Sequence, residues 1–162
     1  MASDYLLEID GIKGESQDSK HKETIEIASF STGVAHPGDF RSNTGGSTGK
    51  ANFQDAHFTT RVNKASANLL QACAMGKHIG KATLYVRKAT GEGQQEYLKI
   101  ELTDVLVSSY QIGGHDGDDS IPGDQFSLNY AKIEFVYKPQ TDKGALGPEV
   151  SMKYDIAAQK RA

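Results

Sequence analysis

Residues 98–107, LKIELTDVLV, decide the fold, because apolar and polar residues alternate along them as in a half-buried strand. The apolar residues occupy even positions up to Leu102 and odd positions from Val105 onward. Such a change moves the apolar side chains to the opposite face, as a β-bulge or a strand passing between two sheets does. Residues 126–137, FSLNYAKIEFVY, change phase in the same way. Two long strands that change face predict a strongly coiled sheet or a barrel.

Shorter strand-like runs surround these two stretches and carry the alternation or the β-branched content of strands. The candidates are residues 5–9, 23–32, 52–62, 82–89 and 150–156. A turn at residues 91–93 is expected to join 82–89 to the run beginning at residue 96 as a hairpin. The sequence therefore predicts a mainly β fold.

One helix is predicted, over residues 65–75, because an apolar stripe with helical spacing runs from Leu69 to Gly76. Asn63 or Ser66 is expected to cap its start, and Gly76 its end. The only cysteine, Cys73, lies on the apolar stripe and is interpreted as a small buried side chain.

Length and composition limit the classes of protein that remain. The 162 residues suggest one domain, 1–162, and the net charge of −3 argues against a nucleic-acid-binding protein. A single cysteine excludes an intramolecular disulfide framework. The first residues carry neither the basic segment nor the apolar stretch of a secretory signal, and no run is apolar enough for a membrane helix. We therefore expect folding in a cytoplasm, with any export by a route that accepts folded protein.

Short motifs suggest chemistry but lack the structural context that the chemistry needs. Residues 45–49, GGSTG, match the nucleophile elbow of hydrolases, but a strand pattern follows them instead of a helix. Residues 44–51 fail the phosphate-loop pattern at Thr44 and Ala51. The acidic turn after Gly113 lacks the glutamate of a calcium loop, and the histidines show no metal-ligand spacing. We predict no catalytic, cofactor or metal site, and place Asp55 and His57 in a polar interface.

Two features instead suggest assembly. Residues 82–89 and 23–32 carry apolar side chains on both faces, and one small helix cannot cover them, so a partner subunit is expected. The longest gap between elements, 33–50, reads GVAHPGDFRSNTGGSTGK and is predicted to be an extended loop. Loops of this length are often functional, and this one carries Phe40 next to Arg41.

Four blocks of sequence, in this order along nearly the whole chain, resemble the haemolysin co-regulated protein (Hcp) family of bacterial type VI secretion. They are GIKGES at 11–16, GKANFQDAHFT at 49–59, NLLQACAMGKH at 68–78 and EYLKIELTDVLVSS at 96–109. Each block alone would be weak evidence for the family, but the four blocks together are highly specific for it.

The resemblance implies a two-sheet β-barrel with one flanking helix, similar to phage tail-tube proteins. It implies a non-enzymatic subunit of a hexameric ring whose copies stack into a tube, inside a contractile sheath and beneath a trimeric spike. It also implies that small effector proteins travel in the ring lumen. The protein would assemble in the bacterial cytoplasm and leave the cell without a cleaved signal peptide, with no membrane insertion.

The resemblance also suggests roles for four residues. The loop 33–50 would reach the adjacent ring, with Phe40 and Arg41 as anchors, since aromatic and arginine side chains dominate interface hot spots. The alternative is that both pack on their own subunit. Ser29 and Ser31 are candidates for the lumen wall, and the alternative is that they face their own barrel.

Two other functions stay open at this point. A monomeric β-barrel that binds a small ligand would also fit a mainly β chain of this size. A serine hydrolase using Ser47 would need a helix after the nucleophile. Ring-shaped hexamers would support the tube subunit, whereas a uniform monomer at high concentration would contradict it.

Overall fold

The computed structural model describes residues 3–39, 47–90, 93–117, 121–141 and 144–162. The strands and the helix follow in chain order: β1 Ser3–Ile9, β2 Ile25–Glu26, β3 Ser29–Ser31, β4 Val34–Ala35, β5 Gly38–Asp39, β6 Ser47–Thr48, β7 Asn52–Phe53, β8 Ala56–Arg61, α1 Ser66–Met75, β9 His78–Thr90, β10 Gly93–Gly113, β11 Gly123–Tyr137, β12 Val150–Asp155 and β13 Lys160–Arg161. The predicted mainly β fold with one helix is confirmed.

The antiparallel strands form two half-sheets that share β10 and β11. The first half-sheet has the order β2-β1-β9-β10-β11-β12-β13, and the second has the order β3-β8-β11-β10. Apolar side chains fill the space between them, including the stacked rings of Phe58 and Phe126, whose centroids are 5.3 Å apart. The barrel does not close among the described residues, because β2, β3 and β13 each pair along one edge only.

The predicted change of face occurs at one level in three neighbouring strands. Thr103 and Val105 keep the same registers with β9 and β11, while Asp104 between them has no ladder partner. Asp104 adopts a φ of 56°, in the left-handed region. At the same level, Gly80 of β9 and Ala131 of β11 also have no partner in their ladders with β10. Because the three strands change phase together, their apolar side chains stay inside while the sheet passes from one half to the other.

The predicted strand 23–32 is divided by the same requirement to serve both half-sheets. The amide of Ile27 donates to Tyr5 O in the first half-sheet, at 2.9 Å. The next amide, that of Ala28, donates to Thr59 O in the second, at 2.8 Å. The chain therefore crosses between the half-sheets at this peptide, and β2 and β3 are short. The predicted strand 52–62 is likewise divided, into β7 and β8.

Helix α1 packs its buried residues Leu69 and Ala72 onto β10. It begins one residue later than predicted. Ala65 occupies the N-cap position, and the helix start has no side-chain cap hydrogen bond there. Asn63 instead accepts the amide of Ala65 at 2.8 Å. Gly76 ends the helix with a φ of 61°, as predicted.

Residues 14–24 form a strap over the outer side of the first half-sheet. Arg87 of β9 is buried and donates to Asp18 at 2.8 Å and to Asp4 at 3.5 Å. The hydrogen bond from Arg87 lowers the pKa of Asp18 to about 2, with further help from the backbone amides of residues 20 and 21. His21 stacks on Tyr85 at 4.1 Å and contacts Glu96. The strap is therefore held to the barrel by polar contacts.

Candidate functional site

The outer side of the second half-sheet is a largely polar face, in which Leu106 opposite Asn129 is an exposed apolar member. Ser29 and Ser31 of β3 point outward, and their neighbour Phe30 points inward, with its ring 5.6 Å from that of Tyr5. The hydroxyl of Ser29 forms a 2.5 Å hydrogen bond with that of Thr59. The neighbouring strands continue the polar face with His57, Arg61, Gln111, Gln125 and Asn129. Both predicted serines therefore face away from their own barrel.

A hydrogen-bond network at the centre of the polar face joins β10, β11 and Asp55, which directly precedes β8. Asp55 accepts from Asn129 at 2.9 Å and from Ser108 at 2.6 Å. Ser127 is hydrogen-bonded to Ser108 at 2.7 Å and to Ser109 at 2.5 Å. The register of β10 against β11 shifts between Val107 and Ser109, so two consecutive serines reach the network. Each carboxylate oxygen of Asp55 accepts a hydrogen bond from this network, which suits a structural role better than acid–base catalysis.

The inner side of the first half-sheet continues beyond the part that the second half-sheet covers. We call this extension the apolar overhang; its members are Leu98, Phe135, Tyr137, Val150 and Met152. Tyr137 lies between Leu98 and Val150 in the ladder, and Phe135 lies between Ile100 and Met152. The exposed fractions are 39% for Phe135, 41% for Tyr137, 64% for Val150 and 43% for Met152. Contiguous apolar side chains at this exposure mark an interaction surface.

The described part of residues 33–53 forms an arm of two short ribbons. β4 pairs with β7, and β5 pairs with β6 further out. At its base, Phe53 stacks on Tyr154 of β12 with ring centroids 5.1 Å apart. The predicted loop 33–50 is therefore paired along part of its length. The predicted anchors Phe40 and Arg41 lie outside the described residues.

The strand faces that were expected to need a partner subunit are covered by the chain itself. The second face of β9, where Tyr85 lies, is covered by the chain's own strap through His21. Phe30, on the second face of the predicted strand 23–32, packs against Tyr5. Among the described residues, the apolar overhang is a contiguous apolar surface without a cover, and sequence reasoning missed it. Its signal was present in the alternation of residues 133–137 and 150–154, but only the pairing of β11 with β12 joins them.

The motif at residues 45–49 does not have the context of a nucleophile elbow. Ser47 lies in strand β6, and the next element is strand β7.

In the described residues, no helix is long and apolar enough to cross a membrane.

Comparisons with known proteins identify the family. A family model described as "Type VI secretion system effector, Hcp" matches residues 6–137. Protein hcp1 of Pseudomonas aeruginosa is 43% identical over 145 residues, covering 90% of this chain and 89% of that protein.

Solved structures agree with this assignment. A structure titled as a type six secretion system protein superposes with a TM-score of 0.93 at 28% identity, covering 99% of this chain and all of that chain. Hcp1 from Salmonella typhimurium gives a TM-score of 0.83 at 32% identity, with both chains fully covered. The family model covers most of the chain and the identity to hcp1 extends over 90% of it, and the chain therefore belongs to the Hcp family of type VI secretion system proteins.

Proposed function

We propose that six copies of this chain close into a ring, that rings stack into a tube, and that the polar face lines the lumen and carries small effector proteins. The apolar overhang is the observation that carries this proposal. A monomer in water would leave Phe135, Tyr137, Val150 and Met152 uncovered, and a neighbouring copy provides the missing cover.

The edges of the second half-sheet suit closure by rotation. Among the described strands, β3 pairs only with β8, and the part of β10 beyond Leu106 pairs only with β11. These two free edges lie at opposite ends of the order β3-β8-β11-β10. A ring uses a heterologous interface, in which two different surfaces of each copy meet. One free edge and the overhang of one copy would then meet a different surface of the next.

The chemistry of the polar face suits a wall that holds cargo without trapping it. It presents hydroxyl and amide groups, with Ser29 and Ser31 at one side and few ionisable side chains. We propose that cargo proteins contact this wall, and that sheath and spike proteins surround and cap the tube. In this role the protein has no catalytic step, and it leaves the cell as part of the tube instead of through a signal-peptide route.

Mass and shape in solution test the proposal. Light scattering is expected to give six times the 17.5 kDa of one chain, and negative-stain images are expected to show rings with a central opening. A uniform monomer at high concentration would contradict the ring and favour a monomeric ligand-binding barrel.

Ser31→Tyr is expected to leave hexameric rings intact and to reduce cargo retention severalfold. Six tyrosine side chains would project from the lumen wall at the position of Ser31 and occupy space that cargo needs. The measurement is the amount of small effector proteins that co-purify with rings from cells that make them. Ser19→Tyr, at an exposed position on the strap, is the matched control. Equal cargo on both variants would remove Ser31 from the lumen.

Replacing residues 38–48 by Asn-Gly is expected to leave rings but to abolish long tubes. Pro37 and Gly49 are already joined by a 2.8 Å backbone hydrogen bond, so a two-residue turn can close the shortened arm. Negative-stain counts of stacked rings provide the measurement. If the shortened protein forms tubes as readily as the parent, the arm does not mediate stacking.

A further inference from the structure

A histidine, His57, lies near the centre of the polar face. It is exposed on β8 and stands opposite Ser31 of β3 and Ser127 of β11 in the two ladders. Its imidazole forms no ion pair with the described residues, unlike those of His21 and His78. His57 is therefore next to a proposed lumen serine and is open to a bound molecule.

The groups that neighbouring strands present around His57 are neutral. They are the hydroxyl and amide groups of Ser29, Ser31, Gln125, Ser127 and Asn129. The charged groups on the same side of the chain are Asp55, two residues before His57, and Arg61, four residues after it. Since Asp55 and Arg61 carry opposite charges, the net charge of this side of β8 depends on whether His57 is protonated.

Other charges lie at the margins of the polar face. His78 pairs with Leu106 in the ladder and is bonded to Asp104 at 3.2 Å, so a charge on His78 is offset within the chain. At the far end of β8, Glu15 and Glu26 line a groove together with Arg61. Carboxylates and guanidinium groups ordinarily keep their charge near neutral pH, so these groups do not change the sign of the face.

We propose that His57 makes the polar face a pH-dependent holding site for acidic segments of cargo proteins. Histidine is the side chain that ordinarily changes charge between about pH 5 and pH 8. Protonation of His57 adds one positive charge per copy, and a ring of six copies would place six such charges at one level of the lumen. The carboxylates of an acidic segment stay largely ionised over this range, so the attraction strengthens as the pH falls. The proposal rests on the proposed ring with the polar face in its lumen.

Fluorescence anisotropy of a labelled oligo-aspartate peptide, mixed with assembled rings, provides the test. The affinity of the parent rings is expected to be at least about fivefold higher at about pH 5.5 than at about pH 7.5, at the same ionic strength. An oligo-lysine peptide of equal length should bind less tightly at the lower pH. Light scattering at both pH values checks that the rings themselves persist.

Variants of His57 separate its charge from other effects of pH. His57→Gln should remove most of the pH dependence, because an amide is not protonated in this range. His57→Lys should bind oligo-aspartate at about pH 7.5 at least as tightly as the parent does at about pH 5.5, because the ammonium group is charged at both. His36→Gln, at an exposed position on the arm, is the matched control and should keep the pH dependence of the parent.

The outcomes distinguish this proposal from the one on which it rests. Parent rings with equal affinity for oligo-aspartate at the two pH values would overturn the role of His57, and so would an unchanged pH dependence in His57→Gln. A parent protein that forms no rings would instead overturn the proposed function.

Discussion

Val150→Lys is expected to convert rings into monomers. Val150 is 64% exposed at the end of the apolar overhang, so the monomer loses little packing when this side chain changes. In a closed ring, however, six ammonium groups would be buried against apolar side chains. A cost of about 2 kcal/mol at each interface weakens each contact roughly 30-fold, and a ring needs all six contacts at once. Light scattering measures the loss directly.

The control for Val150→Lys lies on the same strand. Ser151 is exposed and points to the opposite side of β12, where its neighbour across the ladder is Val136. Ser151→Lys adds the same charge and should leave the mass of the ring unchanged. Far-ultraviolet circular dichroism should give similar unfolding curves for the two variants. A hexameric Val150→Lys protein would place the ring interface elsewhere.

Gly14→Ala is expected to destabilise the protein by about 3 kcal/mol, equivalent to a fall of roughly 10 °C in the unfolding temperature. A Cβ at this position would lie 2.5 Å from Thr24 O and 2.9 Å from the Cα of Ile25. These are backbone atoms that cannot turn aside, so the strap would have to move away. The hydrogen bonds from Gly14 N to Glu23 O and from Ser16 N to Thr24 O would then lengthen.

The control for Gly14→Ala is Gly113→Ala at the end of β10. A Cβ on Gly113 has no neighbour within 4 Å and requires no unusual φ, so its unfolding temperature should stay within about 2 °C of the parent's. Comparable melting of the two variants would show that the strap can shift without cost.

Local sequence was sufficient for the features that depend on neighbouring residues. The phase changes in residues 98–107 and 126–137 correctly indicated strands that serve two sheets, and Gly76 correctly marked the end of the helix. The block GIKGES also acquires a physical reason, because Gly14 has no room for a side chain and Gly11 adopts a φ of 79°.

Features that depend on long-range strand pairing could not be predicted from local sequence patterns. Phe135 and Met152 become neighbours only through the register of β11 with β12, which no local pattern specifies. The cover of Tyr85 by His21 likewise joins residues that are 64 positions apart in the printed sequence. Alternation along one strand shows that an apolar face needs a cover, but it does not show whether the cover is the same chain or another copy.

The continuity of β10 and β11 has a mechanical consequence. These strands contain 21 and 15 residues, and each belongs to both half-sheets. A load applied to one layer is therefore transmitted to the other through covalent backbone as well as through packed side chains. To slide past each other, the layers would have to break many ladder hydrogen bonds together. The subunit is thus built to bear compression and shear as a single stiff body.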